Sequence, residues 1–429
     1  MNQNKTTGGA SMLKRFTNFL TSLKFGIILF IIIAVYSIIG TVIPQGMDMQ
    51  FYLNQYQTFG SLMVFLQFDQ VYSSVIYLVI VFVFIINLVG CTLKILPLQL
   101  KKMKDYIPNK GKNNENLYEN WMDIEDIKRG FSKRGFKVID REEGSYAVKH
   151  RIGHIGSSVT HLGIVIIILG ALIGNMFVKE GYITLAPGEV YVFDEDGFTF
   201  RLNDFYLDLR EDGSVEQYYS ELTVYEDEKE PREEMIWVNN PLNINGMYFY
   251  QSDYGWASKM QITCADGHVH QESIIKENPH AFYEPEDLTV FLYGYFPDFS
   301  MDMHGNPVTL SQNVRNPAYA VVLYNEEGYV DSYIVEPGQP IKYKDIVITF
   351  VDSVLYTGLT YRQDFGYYPV LIGSIVLTLG ILLSFYFYPK YILISPDEII
   401  PVTRQNVWGF TIKIKKILEE LNKVRGNNQ

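Results

Sequence analysis

The chain has 429 residues, with 36 lysines and arginines against 48 aspartates and glutamates, for a formal net charge of −12. An acidic total argues against nucleic acid as a partner, because phosphate binding needs a basic surface. Two cysteines, Cys91 and Cys264, lie far apart, which excludes a disulfide framework and any Cys-x-x-Cys redox or zinc motif.

The apolar residues come in blocks. Residues 1–24 carry Lys5, Lys14, Arg15 and Lys24 and no acid, and residues 25–43 form a first uncharged stretch of 19 residues. About 20 apolar residues suffice for a helix across a bilayer core. The stretch ends on Thr41-Val42-Ile43-Pro44-Gln45, without a small-x-small cleavage site, so a retained helix is expected rather than a signal peptide. Residues 44–70 form a loop in which 59–66, followed by Phe68, are too few to cross and read as an interfacial helix. Residues 71–93 are the second uncharged stretch.

The loop 94–154 opens on Leu96-Pro97, which predicts a helix stop, and continues through a polar stretch at 110–116. Ile124, Ile127 and Phe131 have helical spacing, and 136–139 and 146–148 flank Glu142-Glu143-Gly144 as a hairpin. Residues 155–178 are the third apolar stretch, with His161 as its sole ionisable member. Residues 179–364 are long enough to bury their own core. Strands are expected at 182–185, 199–205, 215–225, 234–238, 247–251, 259–263, 288–292, 318–324, 331–335 and 347–350. Turn residues punctuate them, among them Asp212-Gly213, Asn245-Gly246 and Asp266-Gly267. Residues 365–388 are the fourth apolar stretch and 389–429 a basic tail. The expected fold class is therefore a membrane α-helical protein with four transmembrane helices and a large β-rich extracytoplasmic domain between helices three and four, built as an antiparallel sandwich or stacked sheets.

Charge gives the orientation. Residues 94–151 hold 14 basic and 9 acidic residues, residues 179–364 hold 11 and 33, and residues 389–429 hold 7 and 4. Basic loops stay inside. Both termini are expected in the cytoplasm, in a multi-pass cell-membrane protein surrounded by lipid.

Seven histidines are candidates for chemistry. An ionisable residue inside a membrane is a functional hypothesis by default. For His161 two readings stay open: an axial ligand for haem iron, or a neutral imidazole bonded to a neighbouring helix or a headgroup. His154, seven residues earlier, is a lesser candidate, and Gly153 and Gly156 interrupt the helix between them. His150 and His154 also read as interfacial residues facing lipid phosphates. His268 and His270 share a strand face next to a hairpin tip, with no third ligand in view. His280 and His304 belong to no pattern. There is no Walker A loop, no Gly-x-Ser-x-Gly and no His-Glu-x-x-His, and no catalytic residue is assigned. The acidic run 226–234 lacks the alternation of a calcium loop. Small residues at 163, 170, 171 and 174, and at 373 and 380, predict close helix contacts.

Several punctuated strings lie in a particular order. They are Gly40-Thr41-x-x-Pro44-Gln45, Ser73…Asn87-Leu88…Cys91, His161-Leu162-Gly163…Gly170-Ala171-Leu172, Asn240-Pro241-Leu242…Gly246…Tyr250-Gln251-Ser252, and Leu359…Asp364-Phe365-Gly366…Val370…Gly373. In this order, with four spans, the sequence resembles the ResB (CcsB) family of cytochrome c biogenesis proteins from about residue 20 to about residue 395. The resemblance implies a subunit of a system II cytochrome c synthetase. Such a subunit helps to transport or hold haem b in the membrane and present it to apocytochrome c outside the cytoplasm. It implies a ResC/CcsA-like membrane partner that carries a tryptophan-rich loop. Trp121, Trp237, Trp256 and Trp408 are widely spread, so this chain reads as the unfused half, a non-catalytic or co-catalytic subunit. The family's membrane histidine falls on His161, which favours the haem-ligand reading. With no thiol pair here, a thioredoxin-like protein is expected to supply reductant. The competing expectation, from another class, is a membrane-anchored scaffold or sensor whose β-domain binds a protein.

Overall fold

A computed structural model of the chain describes residues 7–111, 114–119, 123–142, 144–211, 214–264, 266–275, 278–283 and 287–426. Lys5, Trp121, Glu143 and the turn expected at Asp212-Gly213 lie outside them. The chain forms two compact units, one of Met1–Met176 with Phe365–Gln429 and one of Phe177–Asp364. In chain order, the first unit opens with α1 (Thr7–Leu20), α2 (Leu23–Val42), α3 (Met49–Tyr56), α4 (Gly60–Phe65), α5 (Val75–Lys104) and α6 (Ile124–Lys133). Strands β1 (Lys137–Arg141) and β2 (Gly144–Lys149) lead to α7 (Gly156–Phe177). The second unit holds β3 (Lys179–Leu185), β4 (Val190–Phe193), β5 (Phe198–Leu209), β6 (Val215–Glu226), β7 (Arg232–Trp237), β8 (Leu242–Ile244) and β9 (Met247–Thr263). It continues with β10 (Val269–Ile274), β11 (His280–Tyr283), β12 (Leu288–Phe296), β13 (Phe299–Met301) and β14 (Pro307–Thr309). Its last strands are β15 (Ala318–Asn325), β16 (Gly328–Val335), β17 (Pro340–Tyr343) and β18 (Ile346–Gln363). The first unit closes with α8 (Tyr367–Phe385), β19 (Lys390–Ser395), β20 (Glu398–Thr403) and α9 (Val407–Gly426).

Among the described residues, four helical segments are long and apolar enough to cross a membrane: Leu23–Val42, Val75–Lys104, Arg151–Phe177 and Tyr367–Phe385. Ser22 and Ser74 cap α2 and α5, each accepting a bond from a first-turn amide. The stop expected at Pro97 does not occur, because α5 runs on to Lys104. An internal proline forfeits one backbone bond, at about 3 kcal/mol. The rest of a 30-residue helix, with Lys101, Lys102 and Lys104 in its last turn, continues through it.

Leu29 of α2, Phe84 and Leu88 of α5 and Val165 of α7 form one buried cluster. The helices α7 and α8 meet through glycines. A Cβ at Gly163 would overlap the Leu377 backbone, and one at Gly380 would overlap Thr160. Gly373 lies against Ile167, and Gly170 against Pro369 and Val370. The small residues expected to admit a neighbouring helix on the third and fourth stretches thus admit each other, whereas Ala171 is exposed.

The inner loop and the tail form a single small domain. A four-stranded antiparallel sheet runs β1-β2-β19-β20, and α6 and α9 cover one face. Its core contains Ile127, Phe131, Ala147, Ile392, Ile394, Ile399, Phe410 and Ile414. The expected unit of one helix and one hairpin is therefore only half of it.

The second unit is antiparallel throughout its sheets. A long sheet runs β10-β9-β18-β17, with β3 and β8 attached. Sheets β4-β5-β6-β7 and β11-β12-β15-β16 accompany it. One core joins Phe200, Leu202, Leu222 and Ile236 to Phe249 and Leu359, and a second joins Val290, Val321 and Leu323 to Met260, Ile348 and Phe350. Two layered packings therefore share the ribbon β9–β18. The strands expected at 247–251 and 259–263 are one strand of 17 residues, β9, because Gly255 and Ser258 interrupt the apolar alternation without breaking the ladder.

Candidate functional site

His161 lies on the first turns of α7. At about 100° per residue, Gly163 and Gly170 stand roughly opposite it, while Ile164, Val165 and Ile168 lie within about 60° of it. Those three pack in the cluster with α2 and α5. His161 therefore faces away from α8, toward α5. There the hydroxyl of Thr92 lies 3.1 Å from Nδ1. The ring is half-buried, and no hydrogen bond engages Nε2 among the described residues. A histidine whose Nδ1–H is held by an oxygen presents Nε2 as its unprotonated nitrogen, the usual arrangement of a metal-binding imidazole.

Just along α5, polar residues fix the start of the bundle. The amide of Asn87 donates to the Ser22 carbonyl at 3.2 Å, and the Cys91 thiol to the Thr21 carbonyl at 2.9 Å. Cys91 is buried, with its sulfur committed to packing and this one bond.

His154 sits in a 3-10 turn, Arg151–Ile155, ahead of α7. Its Nε2 is 2.8 Å from the Tyr391 hydroxyl, and its ring meets Tyr106 edge-on. Burial pushes the Tyr391 phenol up to about 12, so it stays neutral in that contact. Burial, then Lys390 and Lys149, hold the His150 imidazole below its ordinary value. The structure therefore gives His161 and His154 different partners and does not bring them together on one regular helix.

The other candidates resolve into local structure. His268 closes the β9–β10 turn and is exposed, and His270 packs its ring 5.5 Å from Tyr283. His304 lies in a turn capped by Asp302, whose carboxylate accepts from the His304 amide at 2.8 Å. The acidic run 226–234 is the tip of the β6–β7 hairpin, where Glu226 pairs with Lys229 and Arg232. No cluster of three or more His, Cys, Asp or Glu residues able to hold a metal occurs among the described residues.

The punctuated strings mostly hold the scaffold. Gly40 lets Val71 and Tyr72 close on α2. Gln45 bonds the Phe68 carbonyl at 3.0 Å and the Val71 amide at 2.8 Å, and Tyr52 donates to the Pro44 carbonyl at 2.6 Å. Gln251 meets Ser220 and Thr357 in a buried network, and Ser252 donates to the Gly358 carbonyl at 3.0 Å. Sequence reasoning missed Thr92. Its only signal was a hydroxyl beside Cys91 in an apolar helix, and nothing in the spacing paired it with a histidine 69 positions on.

Comparison with known proteins decides the family. The model of the ResB-like family matches residues 23–335. The chain belongs to that family. The match takes in α2 through β16, and so includes both Thr92 and His161. This ResB-like chain is also similar to the cytochrome c biogenesis protein CcsB of Picosynechococcus sp., at 27% identity over 86% of this chain and 83% of that one. The cytochrome c biogenesis protein Ccs1 of Rhodomonas salina is 27% identical, over 94% of this chain and 96% of its own length. CcsB of Nostoc sp. is 26% identical, over 96% and 94%.

Proposed function

We propose that this chain is the ResB-like subunit of a system II cytochrome c synthetase. It inserts as four transmembrane helices, with both termini and the β1-β2-β19-β20 domain in the cytoplasm. Residues 179–364 lie outside the cytoplasm. Its cargo is haem b, shared with a ResC/CcsA-like partner and presented for attachment to apocytochrome c. A thioredoxin-like protein keeps the acceptor thiols reduced.

The observation that carries the reading is the pair Thr92–His161. The donor set suits haem iron: a half-buried imidazole beside apolar residues, its Nδ1 held at 3.1 Å by a hydroxyl and its Nε2 without a partner among the described residues. His154 is the lesser candidate, because Tyr391 occupies its Nε2. From this chain His161 would hold the haem, and the partner protein would supply the remaining contacts. Haem, when bound, would supply the vinyl groups to which the apocytochrome thiols add, with reductant coming from outside this chain. The Thr92 hydroxyl orients the imidazole.

The test is to coexpress the chain with a ResC/CcsA-like partner, purify the complex and record its visible spectrum. Haem should copurify, and His161→Ala should remove it or change its ligand spectrum. An unchanged spectrum would refute the ligand assignment. Deleting 181–360 tests the outer domain separately, since normal cytochrome c maturation without it would refute a docking role.

A further inference from the structure

Where α5 ends, the helical bundle and the inner sheet enclose a cavity of about 540 Å³. Its walls combine apolar Ile95 and Leu98 with Tyr106 and Tyr391, and carry two cations, Lys102 and Arg404. None of its lining residues is aspartate or glutamate. A third cation stands beside it. Arg151 lies beside the Tyr391 hydroxyl, and its Nε and Nη2 are buried with no hydrogen-bond partner among the described residues. Arg404, Lys102 and Arg151 all act electrostatically on His154, which lines the same cavity.

Buried guanidinium nitrogens without acceptors are costly, and buried charges persist when something pairs with them. Three cations around one cavity call for an anion that none of the described lining residues supplies. The apolar wall formed by Ile95 and Leu98 continues the membrane-spanning part of α5. The anion should therefore be the head of a molecule with an apolar body.

We propose that this cavity binds the acidic head group of an amphiphile, a phosphate or carboxylate on an apolar body, with Lys102, Arg151 and Arg404 as its counter-charges. Two sources share that chemistry: a phospholipid of the inner leaflet and the propionates of haem. The proposal rests on the membrane reading above and not on His161. In either case the group recognised is the anionic head and not iron, because Tyr391 already holds the His154 Nε2.

The experiment uses the full chain in nanodiscs of phosphatidylcholine doped with phosphatidylglycerol. Native mass spectrometry counts retained phosphatidylglycerol, and titrations with haemin and with its dimethyl ester measure the other source. Arg404→Gln and Lys102→Gln should each weaken retention of one probe about fivefold, the loss for one cation facing an anionic head. The control is Lys101→Gln with Lys104→Gln, exposed positions on the same helix that do not line the cavity. Loss of phosphatidylglycerol identifies the lipid, whereas loss of haemin binding with the ester unaffected identifies propionates. Equal retention by the variants and the wild type, or an equal loss in the control, overturns the proposal. Arg404 is exposed, so its replacement disturbs little packing, and Lys102→Met gives the same readout while keeping the apolar stem. His161→Ala should leave phosphatidylglycerol retention unchanged, which separates this site from the haem-ligand reading.

Discussion

Thr92→Val tests the proposed site most directly. Valine keeps nearly the shape of threonine and removes only the hydroxyl, which lies 3.1 Å from His161 Nδ1. A hydrogen bond between neutral groups contributes about 0.5–1.5 kcal/mol, a factor of about 2 to 12. Loss of the group that orients a metal-binding histidine typically costs about 10- to 100-fold in affinity. The two ranges overlap near tenfold, the loss of haem retention expected for the complex with its partner. Thr92→Ser should restore it, because the hydroxyl returns. Visible spectra of the purified complexes give both occupancy and ligand state, so a positioning role is read as a spectral change and not only as lower yield. Cys91→Ala is the neighbouring control, since its thiol faces the Thr21 carbonyl instead. Should Thr92→Val retain haem within about twofold of wild type while His161→Ala loses it, the positioning argument is wrong.

Three further outcomes follow from the geometry. Gly380→Ala places a methyl against the Thr160 backbone and should destabilise the bundle by about 1–3 kcal/mol, while Ala171→Leu at an exposed position should stay within about 0.5 kcal/mol; unfolding titrations in detergent compare them. The double variant Cys91→Ala with Cys264→Ala should still support cytochrome c maturation, and its failure would show that this chain supplies thiol chemistry. Asp302 is held below the ordinary carboxylate value, chiefly by the Asn306 amide and side chain. Its contribution to the turn 302–306 is present above the unfolded value of about 3.9 and is lost as pH falls through the lower folded value. Protection of that turn against hydrogen exchange, corrected for the intrinsic rate at each pH, should therefore fall in acid, and Asp302→Asn should remove the pH step.

What the sequence revealed depended on how local the signal was. The four apolar helices are legible because length and lack of charge need no tertiary context. Most strands of the outer domain are legible from alternation and turns, yet β4, β8, β11, β13, β14 and β17 are not. Most of these are short strands whose burial pattern depends on their neighbours. The inner sheet was half hidden because β2 finds its partner β19 about 240 residues later, and no local pattern reports such a pairing. The helix α9 carries Phe410, Ile414, Ile417 and Leu418 at helical spacing, and that stripe could have been read. His161 stood out as a lone ionisable residue, whereas Thr92 needed the packing of α5 on α7 to be seen.

The inner sheet bears on topology in a way the charge count does not. The strand β2 leads into α7, and α8 leads into β19, and these strands pair from Lys149↔Lys390 to Ser145↔Ile394. Such a ladder needs both strands on the same side of any membrane. The chain between them must therefore cross an even number of times, so α7 and α8 cross together or not at all. Exposed Leu162 and Leu169 on α7, with Ile372, Ile375 and Leu379 on α8, favour crossing. A paired crossing agrees with the membrane insertion proposed above. It also constrains the proposed site. The glycine contacts occupy the face of α7 roughly opposite His161, so α8 does not cover the imidazole. A planar macrocycle and a second protein would then have to reach His161 from the α5 side. Bulky substitutions on the exposed face of α5 beside Thr92 should accordingly block assembly with the partner before they disturb the fold.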